Sequence, residues 1–226
     1  MRFGYALCRA LARQILRLLF GLRVRGKDNV PLAGKLIIAS NHRSNLDPVI
    51  LGAALAREAH FFAKVELFKY RPFAALIRYL NAFPVTRSGF DRPALKQALK
   101  VLERGDALVI FPEGTRAPAG GFLRAKKGMG WIAMLSGAPI VPVYVHGSDH
   151  SWRALFRQPR IAVVFGKPLS LSELDARLLQ GPDRYQQIAE EILERIREVS
   201  LDTPGGLVKQ KGSVFERDVI EDPHLR

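Results

Sequence analysis

Apolar and polar positions alternate along this chain in two distinct rhythms. Short apolar runs end abruptly in polar turns: "KLIIA" (35–39), "HFFAK" (60–64), "AFPVTR" (82–87), "DALVIFPEG" (106–114), "APIVPVYVHG" (138–147) and "RIAVVFGKPL" (160–169). Each has the length and β-branched or aromatic content of a strand, and "LRVRG" (22–26) adds a short one. Between them the apolar positions recur at helical spacing. Helices are predicted from Pro48 to about Arg57 with Asp47 at the cap, over "FKYRPFAALIRYL" (68–80), and over "DRPALKQALKVLERG" with Gly105 as its stop. A last helix is predicted from Leu171 to Val199, with Ser170 and Glu173 as a capping box and a possible break at "QGPD". Strands alternating with helices predict an α/β layer structure.

Two long apolar stretches need separate treatment. Gly128 to Ser148 carries no charge and has the length of a membrane span, but Gly137, Pro139 and Pro142 interrupt it. It reads as a helix to about Ser136, a turn and a buried strand. Pro142 is expected at an edge or bulge, forming a rigid wall beside a site. At the N-terminus, Arg9, Arg13 and Arg17 recur every four residues, while Leu7, Leu11, Ile15, Leu18 and Leu22 line another side. Such a helix either lies in the interface of an anionic membrane or covers the core as an ordinary amphipathic helix. The chain then divides into the amphipathic helix (1–24), one α/β domain (25–200) and a polar tail (201–226).

Composition supports a single sizeable core, with 226 residues and 48% hydrophobic. The one cysteine, Cys8, excludes an internal disulfide and a cysteine zinc cluster, and no metal site is expected. Net charge is +14: residues 1–170 hold 27 Lys and Arg against 9 Asp and Glu, and residues 171–226 hold 8 against 12. A basic body attracts nucleic acid, anionic lipid or phosphorylated small molecules alike, so charge alone does not choose among them.

The polar turns carry the chemistry. "SNHRSNLDP" (40–48) follows "KLIIA" directly and holds His42 and Asp47. Five residues apart in a helix they would diverge, but with His42 in the loop and Asp47 opening the next helix the side chains can meet. A carboxylate on one imidazole nitrogen leaves the other as a general base, with Asn41 steadying the loop. The competing reading is a helix-capping Asp beside a solvated His. "FPEGTR" (111–116) ends a strand, where α/β proteins place sites. Gly114 permits a tight turn, Glu113 accepts a hydroxyl proton or orients a neighbour, and Arg116 offers a forked donor for phosphate. Arg124, Lys126 and Lys127 follow, either as an ordinary solvated run or as part of the same anion seat, and Arg87 ends another strand. No serine has G-x-S-x-G surroundings, so direct transfer is favoured over a covalent acyl-enzyme.

These motifs resemble the glycerolipid acyltransferases, in particular bacterial 1-acylglycerol-3-phosphate acyltransferases. Asn-His, four residues and Asp appear as "NHRSNLD", and an arginine-containing segment as "FPVTR" with Arg87. "FPEGTR" is intact, and a hydrophobic stretch around a proline appears as "IVPV" with Pro142. The resemblance covers about residues 25 to 170. It implies an α/β fold with a mixed sheet flanked by helices, a hydrophobic acyl tunnel and N-terminal membrane attachment. It implies acyl transfer from a coenzyme A or acyl carrier protein thioester to the sn-2 hydroxyl of lysophosphatidic acid, giving phosphatidic acid, with no permanently bound cofactor. His42 is then the base and Asp47 its partner. Acceptor contacts are expected from Asn41, Glu113, Gly114, Thr115, Arg116, Lys126, Lys127 and Pro142, with Arg87 at the phosphate. Thr86 stands where the family pattern has an acidic residue, a departure that bears on the acceptor more than on acyl transfer.

The expected partners are lysophosphatidic acid, an acyl thioester and an anionic membrane surface, with acyl carrier protein as one of the two candidate thioester carriers. The expected location is the cytoplasmic face of the cell membrane, peripheral or monotopic. Glycerol 3-phosphate or a lysophospholipid is the alternative acceptor. A non-enzymatic basic module for membrane or nucleic acid would explain the charge but leave both polar motifs unused.

Overall fold

The structure, a computed structural model, describes residues 1–86, 91–118, 121–149, 160–173 and 181–201. Arg87, the tail after Leu201 and residues 174–180 of the predicted final helix lie outside the described residues. Seven strands form one sheet: β1 (Arg23–Arg25), β2 (Leu36–Ser40), β3 (Ala59–Lys64), β4 (Ala82–Val85), β5 (Ala107–Ile110), β6 (Ile140–His146) and β7 (Ala162–Phe165). Their order is β1-β7-β6-β2-β5-β3-β4, and every neighbouring pair is parallel except β6 with β7.

Helices cover both faces, which is why the central strands are apolar throughout and do not alternate with polar residues. The pleat sorts consecutive residues to opposite sides. Ile37, Leu108, Ile110 and Ile140 pack with α4 (Arg92–Glu103), α5 (Lys127–Ser136) and α6 (Arg184–Leu201). Leu36, Ile38, Val109 and Val141 pack with α2 (Asp47–Ala54) and with Leu16 of α1 (Phe3–Phe20). Helix α5 approaches α6 closely because Gly130 has no side chain; a Cβ there would overlap the Tyr185 carbonyl oxygen.

Several boundaries differ from those expected, each for a local reason. Pro142 occupies neither an edge strand nor a cavity wall; it is buried in β6, between β7 and β2. Val143 pairs with Phe165 whereas Ile140 pairs with Leu169, so the segment facing Pro142 carries one residue more than β6. That bulge, with Gly166 N–H donating to the Pro142 carbonyl at 2.8 Å, absorbs the missing proline donor. Helix α2 stops at Ala54, short of Arg57, whose guanidinium instead donates to the carbonyls of Pro31, Gly34 and Gly105. The predicted 68–80 helix is a 3₁₀ turn at Val65–Phe68 followed by α3 (Arg71–Tyr79). Ser170 and Glu173 close a single 3₁₀ turn (Leu171–Glu173), with the Glu173 carboxylate accepting the Ser170 N–H; α6 starts only at Arg184.

Helix α1 divides the N-terminal pattern differently from the two stripes read in sequence. Tyr5 and Leu16 are buried, and Leu22 lies beyond the αL cap at Gly21 and joins the core. Phe3, Leu7, Leu11, Ile15 and Leu18 remain exposed. Arg9 leaves the cationic stripe, since its guanidinium donates to the Leu55 carbonyl at 2.6 Å at the end of α2. Among the described residues no helix is long and apolar enough to cross a membrane.

The α5–α6 approach yields a direct expectation. Gly130→Ala forces the two helices apart and lowers unfolding free energy by about 1–3 kcal/mol, measured by chemical denaturation, despite the better helix propensity of alanine.

Candidate active site

Parallel pairing builds the site before any catalytic side chain is considered. Ala39 of β2 pairs with Ile110 of β5, and His42 and Glu113 each lie three residues further on. Both strands therefore deliver their polar turns to the same carboxyl end of the sheet. Backbone contacts lock the turns together. Glu113 Oε1 accepts the His42 N–H at 3.2 Å, and the His42 carbonyl accepts the Ala117 N–H at 2.8 Å. The His42 ring stacks on Phe111, with centroids 4.1 Å apart and planes at 19°.

Asp47 fixes the imidazole. Its Oδ2 lies 2.9 Å from His42 Nδ1 and also accepts the N–H groups of Arg43 and Ser44, both at 2.7 Å. The carboxylate is fully buried and opens α2 as its first residue, with Leu46 as the flanking cap. It therefore caps the preceding loop, not the free N–H groups of its own helix, and this is how residues five apart come into contact. With the proton on Nδ1, the ring presents Nε2 as its acceptor atom. Asp47 Oδ1 is buried without a hydrogen-bond partner among the described residues.

Asn41 sits apart from the cavity despite its expected acceptor contact. Its amide donates to the Val145 carbonyl at 2.9 Å and accepts the Val145 N–H at 2.7 Å, extending the β2–β6 ladder with a side chain. Glu113, likewise expected to touch substrate, does line the cavity; its carboxyl is fully buried and accepts the Leu123 N–H at 2.8 Å besides that of His42. Burial pushes its carboxyl up to about 7, partly offset by those two N–H groups and then by the charges of Arg43 and Arg197. Gly114, at φ +69°, turns the chain outward after this anchor.

His42 opens onto a cavity of about 1910 Å³. Gly114, Thr115, Arg116, Lys126 and Lys127 line it, together with Arg124. Arg124 is committed to Glu190 at 3.2 Å, whereas Arg116, Lys126 and Lys127 have no ion pair among the described residues. Lys127 and Gly128 also begin α5, so the positive end of a helix reaches the cavity beside these side chains. The remaining walls are largely apolar, with Val49, Ala53, Phe61, Phe73, Ile77 and Leu95 among them. Pro142 does not line the cavity.

Two contributors escaped the sequence reading. Phe111 supplies the face on which the base rests, and its position opposite the end of β2 follows only from strand register. Arg43 lies 5.8 Å from the Phe122 ring centroid and 5.7 Å from that of Tyr144, bracing the histidine loop against the β5–α5 connection and β6. Nothing local in "NHRSNLD" distinguishes this arginine from a solvated one.

An imidazole oriented by a buried carboxylate, beside unpaired cations and a large apolar cavity, is suited to proton transfer on an amphiphilic anion. The model of the family described as Acyltransferase matches residues 21–146. The chain belongs to the acyltransferase family. A Bacillus subtilis (strain 168) 1-acyl-sn-glycerol-3-phosphate acyltransferase is 31% identical to it over 196 residues, 86% of this chain and 96% of that one. Its Streptococcus pneumoniae counterpart is 32% identical over 140 residues, covering 61% of this chain and 51% of its own length. Among solved structures, the 1-acyl-sn-glycerophosphate (LPA) acyltransferase PlsC from Thermotoga maritima matches with a TM-score of 0.68 at 27% identity. That match covers 86% of this chain and 78% of the other. In this acyltransferase the matched family region contains His42, Asp47 and Glu113, and it ends with β6.

The elevated Glu113 value carries a sign. Between about 4.5 and about 7 the folded protein holds a proton on Glu113 that the unfolded chain has released. The associated stability is complete below 4.5 and is lost as pH rises toward 7. The stability difference between wild type and Glu113→Gln should therefore fall across that window and level off above it, read by paired urea denaturation. A difference that grows with pH would mean that the N–H donors hold the carboxyl ionised.

Proposed function

We propose that this acyltransferase moves an acyl group from an acyl-CoA or acyl-ACP thioester to the sn-2 hydroxyl of 1-acyl-sn-glycerol 3-phosphate, yielding phosphatidic acid. The observation that carries the reading is the 2.9 Å His42–Asp47 pair opening onto a cavity with unpaired cations on one side and apolar walls elsewhere. His42 Nε2 takes the hydroxyl proton as the alkoxide oxygen attacks the thioester carbonyl. The tetrahedral intermediate collapses with cleavage of the carbon–sulfur bond, and the imidazolium returns its proton to the departing thiolate. Asp47 keeps Nδ1 protonated and steadies the imidazolium between the two transfers.

Arg116, Lys126 and Lys127 bind the acceptor phosphate, assisted by the amino end of α5. Glu113 acts through the backbone of His42 and Leu123 while lining the cavity, and Asn41 acts through Val145 away from it. The exposed apolar side of α1 meets the cytoplasmic leaflet of an anionic membrane, which makes the protein peripheral or monotopic. Relatives named for 1-acyl-sn-glycerol 3-phosphate favour that acceptor over glycerol 3-phosphate or a lysophospholipid.

His42→Ala should lower turnover of a labelled acyl thioester by about 10²–10⁴ while leaving the circular dichroism spectrum unchanged. Retained turnover would remove the histidine from the chemistry. Arg116→Ala should raise KM for lysophosphatidic acid by about tenfold, with little effect on a phosphate-free monoacylglycerol. Equal losses on both acceptors would exclude a phosphate contact.

A further inference from the structure

Helix α3 and the 3₁₀ turn before it carry an apolar side broader than the part that faces the cavity. Phe73, Ile77 and Leu80 line the cavity, with Leu67 from the turn, and Ala74 is buried. Beside these, Tyr70 is 69% exposed and Leu76 48%, and neither lines the cavity. Monomeric soluble proteins rarely leave such side chains clustered unless something covers them. The exposed charges here are cationic: Lys64, Lys69, Arg71 and Arg78 against Glu66 alone.

This patch is not isolated from α1. The Arg2 guanidinium donates to the Tyr79 carbonyl at 2.8 Å and to Asn81 Oδ1 at 2.6 Å, and it lies over the Tyr79 ring. Gly4 lets Tyr79 approach so closely that a Cβ would overlap its hydroxyl. The start of α1 is thereby tied to the end of α3, and Phe3 and Tyr79 are both exposed at that junction. Both helices also line the cavity, α1 through Tyr5, Cys8 and Ala12.

We propose that α3 and its preceding turn form a second lipid-contacting element, which rests with α1 on an anionic bilayer and admits the lipid acceptor sideways into the cavity. The occupant is a bilayer because the patch combines apolar side chains with four exposed cations against the single Glu66, the pattern that seats in a headgroup boundary. A second copy of this chain would place those cations against each other. Phe73 marks the entry, being 41% exposed while also lining the cavity. The proposal rests on the lipid-acceptor reading above.

The test is the double variant Tyr70→Gln/Leu76→Gln in the full chain, compared with wild type. Its affinity for vesicles of phosphatidylcholine with phosphatidylglycerol should fall by about tenfold. KM for vesicle-presented lysophosphatidic acid should rise in parallel. Turnover of a short-chain lysophosphatidic acid, monomeric in solution, should be unchanged. Unchanged vesicle affinity overturns the proposal. So does a wild-type dimer that the variant converts to monomers without loss of vesicle affinity, since a second copy would then be the occupant. Wild-type turnover of the monomeric acceptor tests the acyl-transfer reading separately, because that assay needs no bilayer.

Discussion

The pairing of β2 with β5 is the constraint on which the site depends. Both strands run in the same direction and in fixed register, so the chain leaves the sheet twice at one place with two polar turns side by side. One turn brings the imidazole and the other brings its platform and a backbone anchor. A register shift by a single residue would turn every apolar side chain of β2 to the wrong layer of helices. Core packing on both faces therefore holds the register, and the register holds His42 against Phe111.

Two buried carboxylates far apart in the sequence reach the same histidine only through this fold, and they serve it in different ways. Asp47 gathers its donors on one oxygen: an imidazole nitrogen and two backbone N–H groups. It thereby shapes the loop and orients the ring in one arrangement. Glu113 spreads two N–H groups over its two oxygens and ties residue 42 to residue 123. Burial leaves its carboxyl close to protonation near neutrality, even with the charges of Arg43 and Arg197 acting against it. It lines the same cavity as the cations that follow it in sequence, but its hydrogen bonds go to backbone.

The same division between inner and outer use recurs on a larger scale. Helix α1 seals the core with Tyr5 and Leu16 and leaves a second apolar side in the open, and α3 does the same over the cavity. The basic body is not a uniform field. Arg2, Arg9 and Arg57 are occupied in holding carbonyls and a carboxylate, while Arg116, Lys126 and Lys127 at the cavity have no ion pair among the described residues. Net charge alone gives no hint of that partition.

Within the sequence itself, the α/β class, the strands, and the spacing that allows His42 to meet Asp47 were all legible. They depend on local periodicity and on residues only a few positions apart. The two polar motifs could be singled out because each interrupts an apolar pattern at a strand end. The tertiary structure alone decided that Asp47 caps a loop and not its own helix, that Val145 is the partner through which Asn41 steadies the loop, that Glu113 reaches the backbone of Leu123, and that Pro142 takes its bulge in the middle of the sheet and not at an edge. It also supplied Phe111 and Arg43. Those outcomes rest on contacts between segments tens of residues apart, where the partner and its distance, not the residue type, determine what a side chain does.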